Sequence, residues 1–428
     1  MDVMSRCYSP HRTNMSRHIS PPDGNPFDTQ AELRNSLDRL VTRHPPDSLA
    51  PSGGLYAGLL SVVFLFWKLD KVMSAECRIG GLTIKEWLDA YWLQARRYDR
   101  ALLGDAGIDS LKIRPWRCGV GEDTIVYAAL RVIFALEEGQ TEAEAEARSF
   151  CRAEKQVVGS ASIAQERRHG KPESNEWLYG RAGTLYLLRT IRQVASQSDE
   201  PGTLLSEIDD TIHALIEEIV AAPRPWVWHG KPYLGAVHGS AGIISQVIQS
   251  MQVINLHDQP LLEELQTDVE QILDLQMPSG NWPSSIPPPN AQPAQDRLLQ
   301  FCHGSPGIIP CLHHISSAYP SLSDRIAEAI SRAESDILAR GWLTKEPCLC
   351  HGATGNALAL ATEEARMSLL RGATERSIER LQETGDVGVS DSPEGLYTGM
   401  AGRAWVWAFC GIGEYRRGSG SFLGFDDV

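Results

Sequence analysis

YGRAG (179–183), HGSAG (238–242), HGSPG (303–307), HGATG (351–355) and TGMAG (398–402) are five copies of one phrase, each ending in a G-x-x-G step. Weaker copies stand at Tyr56-Ala57-Gly58 and Cys118-Gly119-Val120-Gly121, where the second glycine is missing or displaced. Together they make roughly seven units about 45 to 65 residues apart, the range in which solenoids and toroids come first to mind. Each clear copy is followed by an apolar, helix-compatible run: Thr184 to Val194, Ile243 to Ile254, Ile308 to Ser317, Asn356 to Met367 and Arg403 to Ile412. Between them lie amphipathic acidic segments, Leu204 to Ala222, Leu261 to Met277 and Leu322 to Arg340, with apolar residues at three- and four-residue spacing. The first set reads as buried inner helices and the second as an outer layer. Two glycines three apart strip one side of a helix's first turn, so that loop backbone or a neighbouring helix can approach closely. The expected fold is all-α, an α/α toroid of about seven helical hairpins, with the site where the repeat loops meet.

Composition limits what such a toroid can do. With 428 residues and 42% hydrophobic content the chain can bury a large core. A net charge of −14 argues against tracking a nucleic-acid backbone. Nine scattered cysteines without a secretion signal read as reduced thiols of a cytoplasmic protein. The longest apolar run, Leu59 to Trp67, is too short for an integral membrane segment. The polar first 25 residues read as a disordered tail, 26–417 as the barrel, and 418–428 as a C-terminal tail. The Pro-rich stretch Pro278 to Pro293 reads as a surface connection.

Glycines alone read as a packing device, but the residues before them carry chemistry. His238, His303 and His351 each precede a first glycine, and Cys302 and Cys350 stand one place earlier. Equivalent positions in a closed array converge on one axis. Zinc takes thiolate and imidazole ligands, and a catalytic site keeps one position open. Cys302, Cys350 and His351 would supply two thiolates and one imidazole, although each cysteine by itself reads as a buried small hydrophobe. A site of that kind suits a substrate thiol, which bound zinc keeps deprotonated near neutral pH. His238, with no cysteine before it, is then free for acid–base work, or is a loop histidine held by backbone carbonyls. Cys348 forms a Cys-x-Cys with Cys350 and is expected to point away.

Taken in order, LYGRAG (178–183), GAVHGSAGI (235–243), PSGNWP (278–283), FCHGSPG (301–307), LCHGATGN (349–356) and LYTGMAG (396–402) resemble the lanthionine cyclase C-like family, specifically its eukaryotic branch. The likeness runs from about Gly54 to Ile412. It implies a seven-hairpin α/α barrel with one zinc on Cys302, Cys350 and His351. It implies glutathione as co-substrate, its thiol added to dehydroalanine or dehydrobutyrine in proteins or peptides, with kinases among the candidate partners. Carried over by position, His238 matches an acid–base histidine, and His303 follows the first zinc cysteine and faces the substrate. Glu176 takes the place of a bacterial active-site aspartate, where a carboxylate could orient His238. Lys345 matches a lysine that contacts glutathione. The stretch Asp386 to Glu394 lacks the arginine these relatives use for glutathione, and Thr398 replaces their glutamate. Their N-terminal arginine has no clear match before Asn25-Pro26-Phe27, with Arg12 and Arg17 nearby. The alternatives are a glutathione- or small-ligand-binding regulator without turnover and a bacterial-type peptide cyclase. A toroidal glycosidase or terpenoid cyclase would need carboxylates at the mouth, where the repeat loops offer Cys and His.

Overall fold

The inner helices are apolar on nearly every side. Gly58–Val72 (α2) buries eleven of its fifteen residues, and full burial of each large side chain contributes about 1.5–3 kcal/mol. Six more of this kind follow: Asp123–Glu137 (α5), Arg181–Ala195 (α7), Ser240–Val253 (α9), Ser305–Ala318 (α11), Ala353–Leu358 (α13) and Met400–Gly411 (α16). Each touches the next, and α16 returns to α2, so the seven form a closed ring. The computed structural model describes residues 27–159, 170, 173–197, 202–288, 296–390, 392–411 and 422–428. The N-terminal tail expected over 1–25 lies outside them.

The outer layer is amphipathic. Thr29–Arg43 (α1), Ile84–Arg96 (α3), Ala143–Glu154 (α6), Gly202–Ala221 (α8), Gln259–Asp274 (α10) and Ser323–Arg340 (α12) show one buried stripe each. Local chemistry fixes several starts: a Thr83–Glu86 capping box opens α3, and Asp258 accepts the Leu261 N–H at 3.1 Å to open α10. Helix α1 packs on α16, so the first described helix is the outer partner of the last inner one. Asp99–Leu103 (α4), Glu363–Leu370 (α14) and Glu375–Glu383 (α15) complete sixteen helices among the described residues. A two-residue antiparallel pair, Arg78–Ile79 (β1) with Leu82–Thr83 (β2), links α2 to α3. No helix among the described residues is long and apolar enough to cross a membrane.

At one end of the ring the repeat loops lie backbone against backbone in a second ring, hydrogen-bonded at six joints and closed at the seventh by Gly235, where a Cβ would stand 2.5 Å from Cys302 O. Leu55 N–H donates to Val120 O at 2.8 Å, Cys118 N–H to Tyr179 O at 2.7 Å, and Trp177 N–H to Val237 O at 3.1 Å. Farther round, Cys302 N–H donates to Cys350 O at 3.2 Å, while Cys350 N–H donates to Tyr397 O and Tyr397 N–H to Tyr56 O, both at 2.9 Å. The degenerate copies at 56–58 and 118–121 therefore take full places in it. The second glycine of each clear copy is the close approach: a Cβ on Gly307 would stand 1.9 Å from Phe301 O, and one on Gly355 1.9 Å from Leu349 O. Gly183, Gly242 and Gly402 meet the carbonyl six residues back in the same way. It is loop backbone that the G-x-x-G step admits.

Two expectations are corrected. The run Asn356 to Met367 is not one helix: α13 stops at Leu358, and Thr362 caps α14 by accepting the Ala365 N–H at 3.2 Å. Continuing α13 would carry the charged Glu363, Glu364 and Arg366 into the inner layer. Of the tail expected over 418–428, residues 418–421 lie outside the described residues, and 422–428 lies inside the ring, with Phe422, Leu423 and Phe425 fully buried. Its apolar side chains fill the lumen, and its buried acid is matched, Asp427 standing 2.8 Å from Lys68 Nζ and accepting the Tyr186 hydroxyl at 2.9 Å.

Candidate active site

The loop ring brings the candidate site residues together in two groups. In the first, His238 Nδ1 stands 2.8 Å from Glu176 Oε2, with both side chains buried. Glu176 also accepts the Leu178 and Tyr179 N–H groups, at 2.8 and 2.5 Å, so its carboxylate is fixed by its own loop. A carboxylate facing Nδ1 favours the tautomer that carries its proton there and leaves the lone pair on Nε2. His238 Nε2 is buried with no hydrogen-bond partner among the described residues.

Trp228 covers this histidine face to face, centroids 3.8 Å apart and planes 4° apart. A tight two-residue turn delivers it. Trp228 and Lys231 exchange both backbone hydrogen bonds at 3.0 Å, with His229 at φ 47° and Gly230 at φ 77°. Positive φ at both central positions is the hairpin turn that suits His-Gly poorly at the first residue and well at the second. Tyr179 lies parallel to Trp228 at 6.4 Å, and Arg117 sits over Tyr179 at 5.2 Å. Beside His238 opens a cavity of about 340 Å³, lined by Glu176, Pro223, Trp226 and Trp228 among others.

The second group is the thiol pair. Cys302 and Cys350 sit on loops joined by backbone, and their side chains hydrogen-bond to each other. That bond, with help from the Lys345 charge and the Gln300 amide, holds the Cys302 thiol below its ordinary value against the effect of burial. Gln300 Nε2 donates to Cys302 Sγ at 2.9 Å. The PSGNWP motif anchors this loop through Asn281, whose Oδ1 accepts both the Ser305 N–H at 2.8 Å and the Ser305 hydroxyl at 2.9 Å at the start of α11. Gly304, at φ 108°, leaves room for that amide: a Cβ would stand 2.7 Å from Asn281 Oδ1.

His303 bridges the two groups. Its ring lies 6.2 Å from His238 and 5.3 Å from Tyr233. Burial, and then the His238, Lys345 and Lys231 charges, push it down to about 3, so it is a neutral imidazole. Burial and Lys345 do the same to His351, also to about 3. Half-buried Lys345 thus directs its charge at both cysteine loops. Cys348 is pushed up to about 12 by burial, and its sulfur takes a hydrogen bond from the His351 backbone.

These donors are of the kinds zinc selects: two adjacent thiols, one of them easily ionised, and a neutral imidazole one residue away. The arrangement is incomplete, since no three Cys, His, Asp or Glu side chains gather into a metal-holding group among the described residues. The thiols are together, and the His351 ring is not gathered with them. Thr398 serves its own loop, donating to Ser392 O at 2.8 Å.

Trp228, Lys231, Tyr233 and Gln300 were not singled out by the sequence. The Trp-His-Gly-Lys turn ahead of HGSAG was the available signal, because a His-Gly flanked by residues able to pair across it marks a tight turn.

The model of the lanthionine synthetase C-like protein family matches residues 52–408. Over 193 residues the chain is 32% identical to glutathione S-transferase LANCL1 of Danio rerio, covering 43% of this chain and 45% of that protein. Over 253 residues it is 29% identical to LanC-like protein GCL1 of Arabidopsis thaliana, covering 55% and 54%. The chain thus spans about half the length of the curated relatives it matches. The repeat loops, the closed helical ring and the match over residues 52–408 agree: the chain belongs to the lanthionine synthetase C-like family.

Proposed function

We propose that this protein is a zinc-dependent enzyme that adds the thiol of glutathione to dehydroalanine or dehydrobutyrine residues of proteins or peptides. The observation that carries the reading is that a carboxylate-ordered histidine and a thiol pair meet on adjoining repeat loops, with His303 between them. Family membership and the printed name of the Danio rerio relative support glutathione as the co-substrate.

Cys302, Cys350 and His351 would hold the metal, which requires the His351 ring to turn toward the thiols. Bound zinc would supply acidity, lowering the pKa of a substrate thiol. The chain's own residues do the rest. His238 Nε2 has the lone pair to accept the thiol proton, and Glu176 stabilises the imidazolium that results. The sulfur electron pair forms a bond to the alkene β-carbon, the π pair moves toward the α-carbon and its carbonyl, and His238 returns the proton to the α-carbon. No atom is lost, and the product is a thioether. Lys345 offers a charge to a glutathione carboxylate, and Trp228 shields the His238 ring from water.

The test is incubation with zinc, glutathione and a dehydrobutyrine peptide, followed by mass spectrometry. The expected result is a gain of one glutathione per peptide, lost in Cys302→Ala and reduced about a hundredfold or more in His238→Ala. No gain in the parent would sink the proposal. One observation favours a binding protein without turnover: the stretch 386–394 has no arginine, and its Ser390 N–H is instead tied to Glu346 at 2.7 Å. Glutathione binding with no peptide adduct is the outcome that would select that reading.

A further inference from the structure

We propose that residues 422–428 form a positioning element, an internal ligand of the lumen that sets the placement of the cysteine and histidine loops. It rests on the reading above only in taking Cys302, Cys350 and His238 as the working residues.

The segment has a fold of its own. Phe422 N–H donates to Asp426 Oδ1 at 2.7 Å and Gly424 N–H to Asp427 Oδ1 at 2.8 Å, with Gly424 at φ 81°. Three consecutive carbonyls are then each read by a different part of the barrel. Leu423 O accepts the Tyr397 hydroxyl at 2.8 Å, Gly424 O the Trp177 indole N–H at 3.0 Å, and Phe425 O the Gln246 amide at 2.8 Å. Apolar filling alone needs no such register, whereas a bound peptide does, since its buried backbone groups require partners.

Two of these carbonyl partners, Tyr397 and Trp177, together with Phe301, link the segment to the candidate site residues. Phe301, just before Cys302, stacks on Phe422 at 4.4 Å and meets the edge of Phe425 at 5.3 Å. Tyr397 accepts the Cys350 N–H through its carbonyl while its hydroxyl holds Leu423. Trp177 follows Glu176, and its backbone N–H holds Val237, the neighbour of His238. From the other side Lys68 and Tyr186 fix Asp427 to α2 and α7. One seven-residue object thereby references all three loops to the inner helices. Phe422, Leu423 and Gly424 act through Phe301, Tyr397 and Trp177, and are positioning residues.

The experiment compares the full chain, Phe422→Ala, Tyr397→Phe and a chain ending at Gly420, all free of zinc. The readout is the rate at which iodoacetamide alkylates Cys302 and Cys350, mapped by mass spectrometry, with fully buried Cys311 of α11 as internal reference. The expected result is alkylation of Cys302 at least about fivefold faster in Phe422→Ala with Cys311 unchanged, the signature of a local opening. In the shortened chain the synthetic peptide Phe-Leu-Gly-Phe-Asp-Asp-Val, added in trans, should restore slow alkylation. Unchanged Cys302 rates, or Cys302 and Cys311 rising together, overturn the proposal. If the shortened chain does not fold, the two point variants decide it. Because glutathione transfer is not the readout, a protein that transfers nothing yet protects Cys302 through Phe422 loses only the proposed function. A protein that transfers normally without that protection loses only this inference.

Discussion

The loop ring has two halves built on one backbone plan. In the half spanning 238 to 351 the residues ahead of the first glycine are His238, Cys302-His303 and Cys350-His351; across the closure they are Tyr56-Ala57 and Tyr397-Thr398. The backbone links are alike, Cys302 to Cys350 at 3.2 Å and Tyr397 to Tyr56 at 2.9 Å. Where the polar half has thiols meeting, the other has two tyrosine rings stacked at 5.3 Å with planes 7° apart. The scaffold is indifferent to which pair occupies the position. Chemistry and packing are interchangeable cargo on equivalent sites, which is how a repeat fold acquires a site without redesigning its frame.

The sharpest way to break this comparison is to exchange what the halves lose. Cys302→Ala is expected to take zinc content from about one per chain to near zero, while the melting temperature of the zinc-free protein barely moves. Tyr56→Ala should do the reverse, costing about 3 kcal/mol of stability in denaturant unfolding with zinc retained. Equal metal in the parent and Cys302→Ala would erase the distinction. A second test addresses what the halves share. Gly307→Ala places a methyl 1.9 Å from Phe301 O and should destabilise by about 3 kcal/mol. Gly202→Ala, with nothing within 4 Å of its Cβ, should change stability by less than about 0.5 kcal/mol.

A smaller effect than that of Gly307→Ala concerns Glu122, beside the degenerate 118–121 copy. Burial raises its carboxyl to about 7 despite the ion pair with Arg117. The native state therefore holds a proton that the unfolded chain releases near pH 4.5, so this contribution is present at low pH and is lost as pH rises from about 4.5 to 7. Glu122→Gln should flatten that loss and stabilise the protein by about 2 kcal/mol at pH 8, measured by denaturant unfolding across pH.

The fold was legible because five glycine steps recur with apolar runs behind them, and close packing of backbone leaves glycine no substitute. The first two copies were faint because their second glycine is missing or displaced, yet backbone pairing needs no side-chain signature, and Leu55 and Cys118 join the ring all the same. The break before Thr362 was missed because the periodicity of 356–367 masked a capping threonine. Of the site, the Cys-His pairs were visible in the repeat, whereas the Glu176 contact to His238 spans 62 residues and entered through family likeness. Trp228 and the buried 422–428 segment carried no periodic signal, since their partners lie in other repeats.

Helix α1 completing the hairpin of α16 makes the molecule a ring with a seam. An open solenoid can gain or lose a unit at its end and keep the rest. Here the seam joins positions almost the whole sequence apart, so the ring is finished only when its first described helix is met by its last, a contact of high topological cost that favours slow, all-or-none assembly. Strain anywhere in the circle is felt at that seam, and a break there opens the circle as a whole.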